Sequence, residues 1–394
     1  MQITDELRRL STLALLACCL TASAYAQSFP SGSTGADGNL NITAPGVTVF
    51  TQTPAGGGTV YNFGTINIAQ GSTLKLSGAV FSQPLYFLAT GAVTIAGTLD
   101  LSGQSGSQPA SSAQRTAGTT PGPGAYGGGL AAFGSDAALP GQGPSGGAVS
   151  VYYCCNYYVG GPGGFSGNQF LVPLVGGSGG GGQVGTGGAG GGAILIASSV
   201  SIAVTGTITA SGGAGSANSG GGSGGAVRLV APSISGTGTI TAAGGGPGGT
   251  YNSSNNGGGN GVVRLEFFQN TFTGTTAGTL YTATPVNLYV PAPSAQPTIM
   301  VTSIGGIAVP ANPTGSFSVP DVLLNTSSPL TVNIQASNIP LGTAPVIYFS
   351  TQNFPDQAIT AGALAGTLAQ STSTATVTLN PGYSIGYVTA TWKQ

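Results

Sequence analysis

The chain has 394 residues, of which only 4% are charged, and its seven Lys plus Arg against eight Asp plus Glu give a formal net charge of −1. So weak a field excludes electrostatic steering of nucleic acid or of an anionic membrane surface. The sequence contains no histidine, which excludes Ser-His-Asp and Cys-His nucleophilic sites and the usual zinc-ligand sets.

Residues 1–26 are predicted to be a secretory signal peptide. Two arginines precede the apolar run Leu10–Leu20, and Ala24–Ala26 forms a small-residue cleavage site before Gln27. Cys18 ends a weak lipoprotein-type cleavage box, which is the less favoured interpretation because a better cleavage site follows. No later apolar run reaches the roughly 20 residues that a membrane-spanning helix needs. We therefore expect a secreted mature chain that begins near Gln27 and has no transmembrane segment.

Short strands are predicted from Leu40 onward. Up to Leu101 the sequence alternates apolar and polar residues in short runs that end at Gly, Pro, Asn or Ser. No helical periodicity follows the signal peptide, and the high glycine content opposes helix formation. Strands this short are typical of a parallel β-helix, in which each turn of the coil adds one strand to each of several sheets. The predicted strands are Val47–Val49, Thr65–Ile68, Thr73–Leu76, Leu85–Leu88, Val93–Ile95 and Thr98–Leu101.

One pattern recurs after residue 191: Gly, a small residue and alternating apolar positions, followed by Gly-Thr-Ile-Thr or a glycine tract. The small residues are Ala193, Ala226 and Val262, so the intervals are 226 − 193 = 33 and 262 − 226 = 36 residues. Repeats of this length are typical of solenoids whose units bury their apolar faces by stacking. The copies begin at Gly192–Ile196, Gly225–Leu229 and Gly261–Leu265, and two of them continue to Gly206–Thr209 and Gly238–Thr241.

An insertion interrupts the solenoid that we predict over residues 27–290. Gly91–Gly103 matches the second half of the later repeats, so residues 104–191 are inserted between the first repeat and the next. This insertion is rich in Gly, Pro and Ser, and similar glycine tracts recur in the later repeats. Such tracts act as flexible linkers or pack side by side in a polyproline-II-like conformation. Because the tracts recur at one position of the repeat, we favour an ordered glycine layer.

The composition changes near residue 290. Residues 291–297 form a Pro-rich linker, and beyond it glycine becomes scarcer and the predicted strands lengthen. Over residues 298–394 the number and spacing of strands predict an antiparallel, immunoglobulin-like β-sandwich. The whole chain is thus predicted to be all-β, a parallel β-helix with long glycine-rich loops followed by a sandwich. The expected sandwich strands are Thr298–Ser303, Leu330–Ala336, Val346–Ser350, Thr374–Leu379 and Ile385–Trp392.

The repeat of Gly-Gly-Ala-Ile/Val-x-Leu with Gly-Thr-Ile-Thr, behind a signal peptide, resembles the glycine-rich secreted β-helix proteins of environmental bacteria. More distantly it is similar to the passenger domains of filamentous adhesins and to pectin-lyase-like solenoids. The resemblance covers roughly residues 40–290 and follows repeat style and composition. It implies an extracellular surface or matrix protein. The chain differs from autotransporters because a small sandwich is predicted where they carry a translocating barrel.

Three charged residues share one face of the predicted repeat. Arg228 and Arg264 occupy the same repeat position, which places them on neighbouring rungs about 4.8 Å apart. Glu266 lies two residues after Arg264 and therefore faces the same side of its strand. We expect a cross-rung ion pair that relieves the two like charges. The alternative is a site that binds an anion or a sugar acid.

A second candidate site lies in the insertion, where tyrosines flank two adjacent cysteines. Exposed tyrosines stack on sugar rings, and adjacent cysteines in an oxidising compartment can close a vicinal disulfide. The favoured interpretation is an aromatic plug or an ordinary loop, and a binding tip is the alternative. No other cysteine follows the signal peptide, which excludes a disulfide framework between distant segments. The residues are Tyr152, Tyr153, Tyr157 and Tyr158, with Cys154 and Cys155.

The remaining chemistry is sparse. The carboxylates after residue 26 are scattered, and none occupies the same repeat position as another, so they favour neither a glycosidase pair nor a calcium cluster. No catalytic residue, metal site or cofactor is predicted. The threonines of Gly-Thr-Ile-Thr allow an ice-binding ladder as an interpretation, but two copies make the ladder too small to favour it.

These features together predict a secreted structural or adhesive protein of the cell surface or extracellular matrix, without catalytic activity. The alternative is an extracellular polysaccharide-binding or polysaccharide-cleaving β-helix protein that uses the tyrosine segment or the face of Arg228, Arg264 and Glu266. Extracellular polysaccharide and cell-surface components are the expected partners, and nucleic acid is not.

Overall fold

The computed structural model describes residues 27–108, 118–132, 138–149, 151–154, 157–249, 256–286, 288, 290, 297–310, 320–351, 357–379, 382 and 384–390. All the regular secondary structure in these ranges consists of β-strands. The predicted signal peptide lies outside the described residues.

Three parallel sheets of six strands each form the first structural unit. Sheet 1 contains β1 (Leu40–Ile42), β4 (Ile66–Ile68), β7 (Val93–Ile95), β12 (Ser201–Val204), β15 (Ser233–Gly236) and β18 (Gln269–Phe272). Sheet 2 contains β2 (Gly46–Val49), β5 (Ser72–Lys75), β8 (Thr98–Asp100), β13 (Thr207–Thr209), β16 (Thr239–Thr241) and β19 (Thr275–Ala277). Sheet 3 contains β3 (Val60–Phe63), β6 (Leu85–Ala89), β11 (Ala193–Ser198), β14 (Ala226–Val230), β17 (Val262–Glu266) and β20 (Thr279–Ala283).

The chain visits the three sheets in turn, so six successive rungs stack along one axis. Ala193 pairs with Ala226 and Ala226 with Val262, which are the pairings that the repeat intervals predict. β7 and β8 pair with β12 and β13, so the insertion lies within the third rung, between β8 and β11. The predicted parallel β-helix is therefore confirmed.

The interior of the β-helix is a continuous column of apolar side chains. Inward residues of consecutive rungs stack on one another, as in Leu99, Ile208 and Ile240, which have no exposed surface. The sixth rung departs from this pattern, because Thr276 pairs with Ile240 in sheet 2 and Asn270 takes the corresponding position in sheet 1. Polar residues in a terminal repeat cap the column, as solubility of a solenoid requires.

The four central strands of sheet 3 are buried on both faces, which corrects the alternating pattern predicted for them. Every residue of β6, β11, β14 and β17 is buried. The outer face packs against a second apolar cluster that includes Phe29 from the N-terminal segment, Leu174 from the insertion and the half-buried Leu288. A continuous apolar run such as Ala193–Ser198 is typical of a strand covered on both sides, whereas alternation describes one buried face.

Two antiparallel sheets form the C-terminal unit, which fits the predicted sandwich. One sheet contains β21 (Thr298–Ile304), β22 (Ile307–Ala308), β23 (Leu330–Ser337), β26 (Ala365–Gly366) and β27 (Ser371–Val377). The other contains β24 (Val346–Thr351), β25 (Gln357–Thr360) and β28 (Ser384–Thr389). The five longest of these strands lie where the sequence predicts them, with ends displaced by a few residues. The short β22, β25 and β26 were not predicted.

Candidate functional site

The glycine tracts form an ordered bundle beside the β-helix. In the third, fourth and fifth rungs the chain leaves sheet 2, runs outward, reverses, and returns to sheet 3 through glycine-rich segments. The insertion adds further segments of the same kind. We call this assembly the glycine bundle, and its segments are 102–108, 118–132, 138–148, 160–168, 174–192, 210–225, 242–249 and 256–261.

Backbone hydrogen bonds join the segments of the glycine bundle with a period of three residues. Gly180 donates to Gly188 in the second half of its own segment, whereas Gly181 and Gly182 donate to segments 160–168 and 138–148, at 2.9, 2.8 and 2.9 Å. Residues 177–179 donate to the same three segments in the same order. Three residues per turn is the repeat of the polyproline-II helix. The ordered glycine layer favoured by the sequence is therefore confirmed.

Close packing of backbones explains why these segments are glycine. A Cβ built on Gly188 would collide with the carbonyl oxygen of Gly213, and so would a Cβ built on Gly245. Each carbonyl oxygen thus lies where a side chain would otherwise stand. The bundle is held by main-chain contacts, and any larger residue at these positions would separate its segments.

Arg228, Arg264 and Glu266 form a buried ion cluster on the outer face of sheet 3. Arg228 pairs with Arg264 across β14 and β17, and the Nε atoms of both donate to Oε1 of Glu266, at 2.8 and 2.6 Å. The exposed fractions of the three residues are only 4%, 9% and 0%. The predicted cross-rung ion pair is confirmed, and its burial was not predicted.

A segment of the insertion covers this ion cluster. Nη1 of Arg264 donates to the carbonyl oxygen of Gln169 at 3.2 Å, and its guanidinium carbon lies 5.6 Å from the ring centroid of Phe170, within range of a cation–π contact. Leu174 continues onto the apolar face of sheet 3. We call residues 165–174 the strap. An anion or a sugar acid would have to displace the strap to reach both arginines, and that role stays a prediction.

The tyrosine segment forms a hairpin at the far end of the glycine bundle. β9 (Val151–Cys154) and β10 (Tyr157–Val159) pair antiparallel. The next residue, Gly160, donates to the carbonyl oxygen of Asn218 at 2.7 Å, where the chain reverses between an outgoing and a returning segment. Cys155 lies outside the described residues, so the vicinal disulfide stays a prediction. The backbone alone is described for Tyr152, Tyr153, Cys154, Tyr157 and Tyr158.

Two further carboxylates are engaged separately in the β-helix. Asp37 accepts hydrogen bonds from the backbone amides of Ala55 and Asn62, at 2.5 Å each, which fastens the N-terminal segment to the first rung. Asp100 accepts from Nζ of Lys75 at 2.8 Å. No group of three or more potential metal ligands occurs within the part of the chain that the structure describes.

The outer face of sheet 2 carries a row of threonines. This row is longer than the ladder of two repeats that the sequence predicts. Thr73 pairs with Thr98, Thr98 with Thr207, Thr207 with Thr239, and Thr239 with Thr275. All five are half-buried or exposed. Thr73, Thr98 and Thr275 were left out of the predicted ladder because their motifs differ from Gly-Thr-Ile-Thr, although the match of Gly91–Gly103 to the later repeats already aligned Thr98 with Thr207. Strand alternation could have found them, since each precedes an inward residue of sheet 2 by one position.

The chain matches no family model, no curated protein and no solved structure. No helix in the described ranges is long and apolar enough to cross a membrane. The features that bear on function are therefore the β-helix, the glycine bundle, the ion cluster beneath the strap, and the surfaces that these elements leave exposed.

Proposed function

We propose that the chain is a secreted structural protein of the cell surface or extracellular matrix that makes adhesive contacts and has no catalytic activity. The glycine bundle carries this proposal. Its segments devote their backbone groups to one another over many residues, an arrangement that favours a persistent, rigid shape over the concave site that an enzyme needs.

The distribution of charge supports the same proposal. Arg228 and Arg264 share the single carboxylate of Glu266, so this cluster keeps one net positive charge, which is buried beneath the strap. Lys75 pairs with Asp100. Because the ion cluster is buried and the second pair is internally balanced, little charge is exposed to a charged ligand. Neutral partners such as extracellular polysaccharide or uncharged cell-surface components fit the exposed hydroxyl and amide groups of the sheets.

The hairpin of β9 and β10 is the proposed contact tip. Its position beyond the reversal at Asn218 supports this role, because a partner can approach a distal tip without disturbing the β-helix. Tyrosine side chains supply stacking area and a hydroxyl group. We expect Tyr157→Ala to weaken retention on a polysaccharide array, and a Thr331→Ala variant, altered on the exposed face of β23, to be retained as the parent is.

Expression with the native N-terminal segment tests the proposal. Fractionation and N-terminal sequencing should find a processed chain beginning near Gln27, outside the cell and associated with its surface. Protease digestion of intact cells should leave the β-helix undigested. An unprocessed cytoplasmic chain would contradict secretion, and a processed chain that washes away from cells and from isolated matrix would contradict the adhesive role.

A further inference from the structure

On the last three rungs, the row of threonines on sheet 2 widens into an array. The row runs from rung to rung, and further threonines lie beside it along the chain of each rung. Each strand of this part of sheet 2 is preceded, two residues earlier, by an exposed threonine at the corner with sheet 1. Within a strand, alternate residues such as Thr207 and Thr209 are about 6.6 Å apart, and neighbouring rungs are about 4.8 Å apart. The corner threonines lie just before these strands. We call this array the threonine face, and its members are Thr205, Thr207, Thr209, Thr237, Thr239, Thr241, Thr273 and Thr275.

The threonine face is rigid. Ile208 and Ile240, which point inward between its members, have no exposed surface, so the strands are anchored to the core. Thr239 and Thr275 share a hydrogen bond of 3.0 Å between their hydroxyl groups. Threonine is also branched at Cβ, which restricts χ1. The hydroxyl groups of Thr209 and Thr241 bond to those of Ser102 and Ser211, at 2.9 and 3.1 Å. Hydrogen bonds and branching thus hold the side chains of the face in place.

The chemistry of the threonine face selects a neutral, ordered ligand. None of its members is charged, and the nearest charged side chain in sheet 2, Asp100, adjoins Thr209 on the preceding rung and is paired with Lys75. It contains no aromatic residue either, whereas sugar rings are commonly bound by stacking on aromatic faces. A rigid array of hydroxyl and methyl groups instead matches an ordered layer of water, in which hydroxyl groups join the hydrogen-bond network and methyl groups occupy its gaps.

We propose that the threonine face binds ice. The oxygen atoms at the surface of ice form a regular two-dimensional lattice, which a regular array of hydroxyl and methyl groups can contact at many points. Preorganised groups lose little conformational entropy on binding, so many weak contacts can act together over the face. This inference does not rest on the proposed structural and adhesive role, because the threonine face and the hairpin of β9 and β10 are different surfaces.

Ice-growth measurements on the purified secreted chain test this proposal. We expect the parent protein to inhibit ice recrystallisation and to be enriched in a slowly growing ice hemisphere. Thr239→Tyr places a bulky ring in the centre of the face and should remove most of both effects. Ser235→Tyr is the matched control, because it makes the same change in the same rung on the outer face of sheet 1.

A second variant separates loss of binding from loss of folding. Thr237→Lys introduces a charge at an exposed corner position, which should lower ice enrichment while circular dichroism and protease resistance stay those of the parent. Absence of any effect of the parent chain on ice, or equal losses in Thr239→Tyr and Ser235→Tyr, would overturn the proposal. Retention on microcrystalline cellulose that Thr239→Tyr abolishes, without ice enrichment of the parent, would also overturn it and assign the face to a polysaccharide.

Discussion

The β-helix and the glycine bundle lie side by side but are stabilised by different parts of the chain. In the β-helix, aliphatic side chains such as Ile208 and Leu229 leave water completely, and each contributes about 1.5–3 kcal/mol through burial. In the glycine bundle there are few side chains to bury, and each backbone hydrogen bond contributes a net of about 1 kcal/mol against the high conformational entropy of glycine. The stability of the bundle therefore depends on the β-helix, because sheets 2 and 3 fix the points at which its segments begin and end.

The most damaging change to the β-helix is a charge in its core. Leu229 is fully buried in the inner cluster, so Leu229→Asp places an unpaired carboxylate in an apolar column, at a cost of several kcal/mol. We expect loss of the β-sheet circular dichroism signal and of protease resistance in both regions. Thr205→Asp, at an exposed position, is the control and should keep the circular dichroism signal and the protease resistance of the parent. Parent-like protease resistance of Leu229→Asp would contradict the inward orientation of this residue.

Loss of the ion cluster should be the next largest effect, because the cluster links the two regions through the strap. Glu266→Gln removes the negative charge between two buried guanidinium groups, and breaking a buried pair costs about 3–5 kcal/mol. Chemical denaturation should show this loss, and limited proteolysis should cut within 165–174.

The exposed pair of Lys75 and Asp100 supplies the control for this measurement. Both side chains are partly exposed, at 29% and 25%, and exposed pairs contribute at most about 1 kcal/mol. Asp100→Asn should therefore change the free energy of unfolding far less than Glu266→Gln. Equal losses of unfolding free energy in the two variants would show that the buried ion cluster stabilises the protein no more than an exposed pair does.

Substitutions within the glycine bundle should have intermediate effects, which depend on position. Gly245→Ala places a methyl group against the carbonyl oxygen of Gly213, whereas a Cβ on Gly246 meets no atom within 4 Å. Overpacking of this kind costs about 1–3 kcal/mol. We expect Gly245→Ala to lower the midpoint of thermal unfolding and Gly246→Ala to leave it nearly unchanged. Similar midpoints for the two variants would contradict close packing of the bundle.

The last predicted effect appears only at alkaline pH and compares one tyrosine in each region. Burial, with a smaller contribution from Asp37, raises the pKa of Tyr61 in the β-helix to about 12, and burial is also the main cause that raises the pKa of Tyr126 in the bundle to about 12. Because an unfolded tyrosine ionises near pH 10, each residue favours unfolding as the pH rises from about 10 to about 12.

Two phenylalanine variants measure this effect. Tyr61→Phe and Tyr126→Phe should each reduce the loss of stability between pH 10 and pH 12, by up to about 1.4 kcal/mol per unit of pKa shift. Tyr61→Phe also removes the hydrogen bond to the carbonyl oxygen of Gln52, so its stability at neutral pH serves as the reference. An alkaline transition unchanged in both variants would contradict the burial of these hydroxyl groups.

The sequence predicted the β-helix well because its information is carried by regular spacing. The intervals between Ala193, Ala226 and Val262 give the register of sheet 3 directly. The covering of sheet 3 could not be predicted, since the strap reaches Arg264 from a segment far away in sequence. Spacing of repeats places residues on rungs, but it does not say which distant loop packs over them.

The candidate surfaces were predicted only in part, for a related reason. Arg228 and Arg264 were placed correctly on neighbouring rungs, because both lie in copies of one motif. Thr73 and Thr275 were missed, because their rungs carry different motifs and only the pairing of strands aligns them with Thr98 and Thr239. A surface built across unlike repeats is visible only once the register of every rung is known.

Amide hydrogen exchange across residues 176–192 tests most directly whether the glycine bundle is an ordered, hydrogen-bonded layer. Our account predicts that these amides are protected, with exchange slowed to an extent comparable with that of β11 and β14 in sheet 3. Exchange of residues 176–192 at the rates of an unstructured chain, while sheet 3 stays protected, would contradict it.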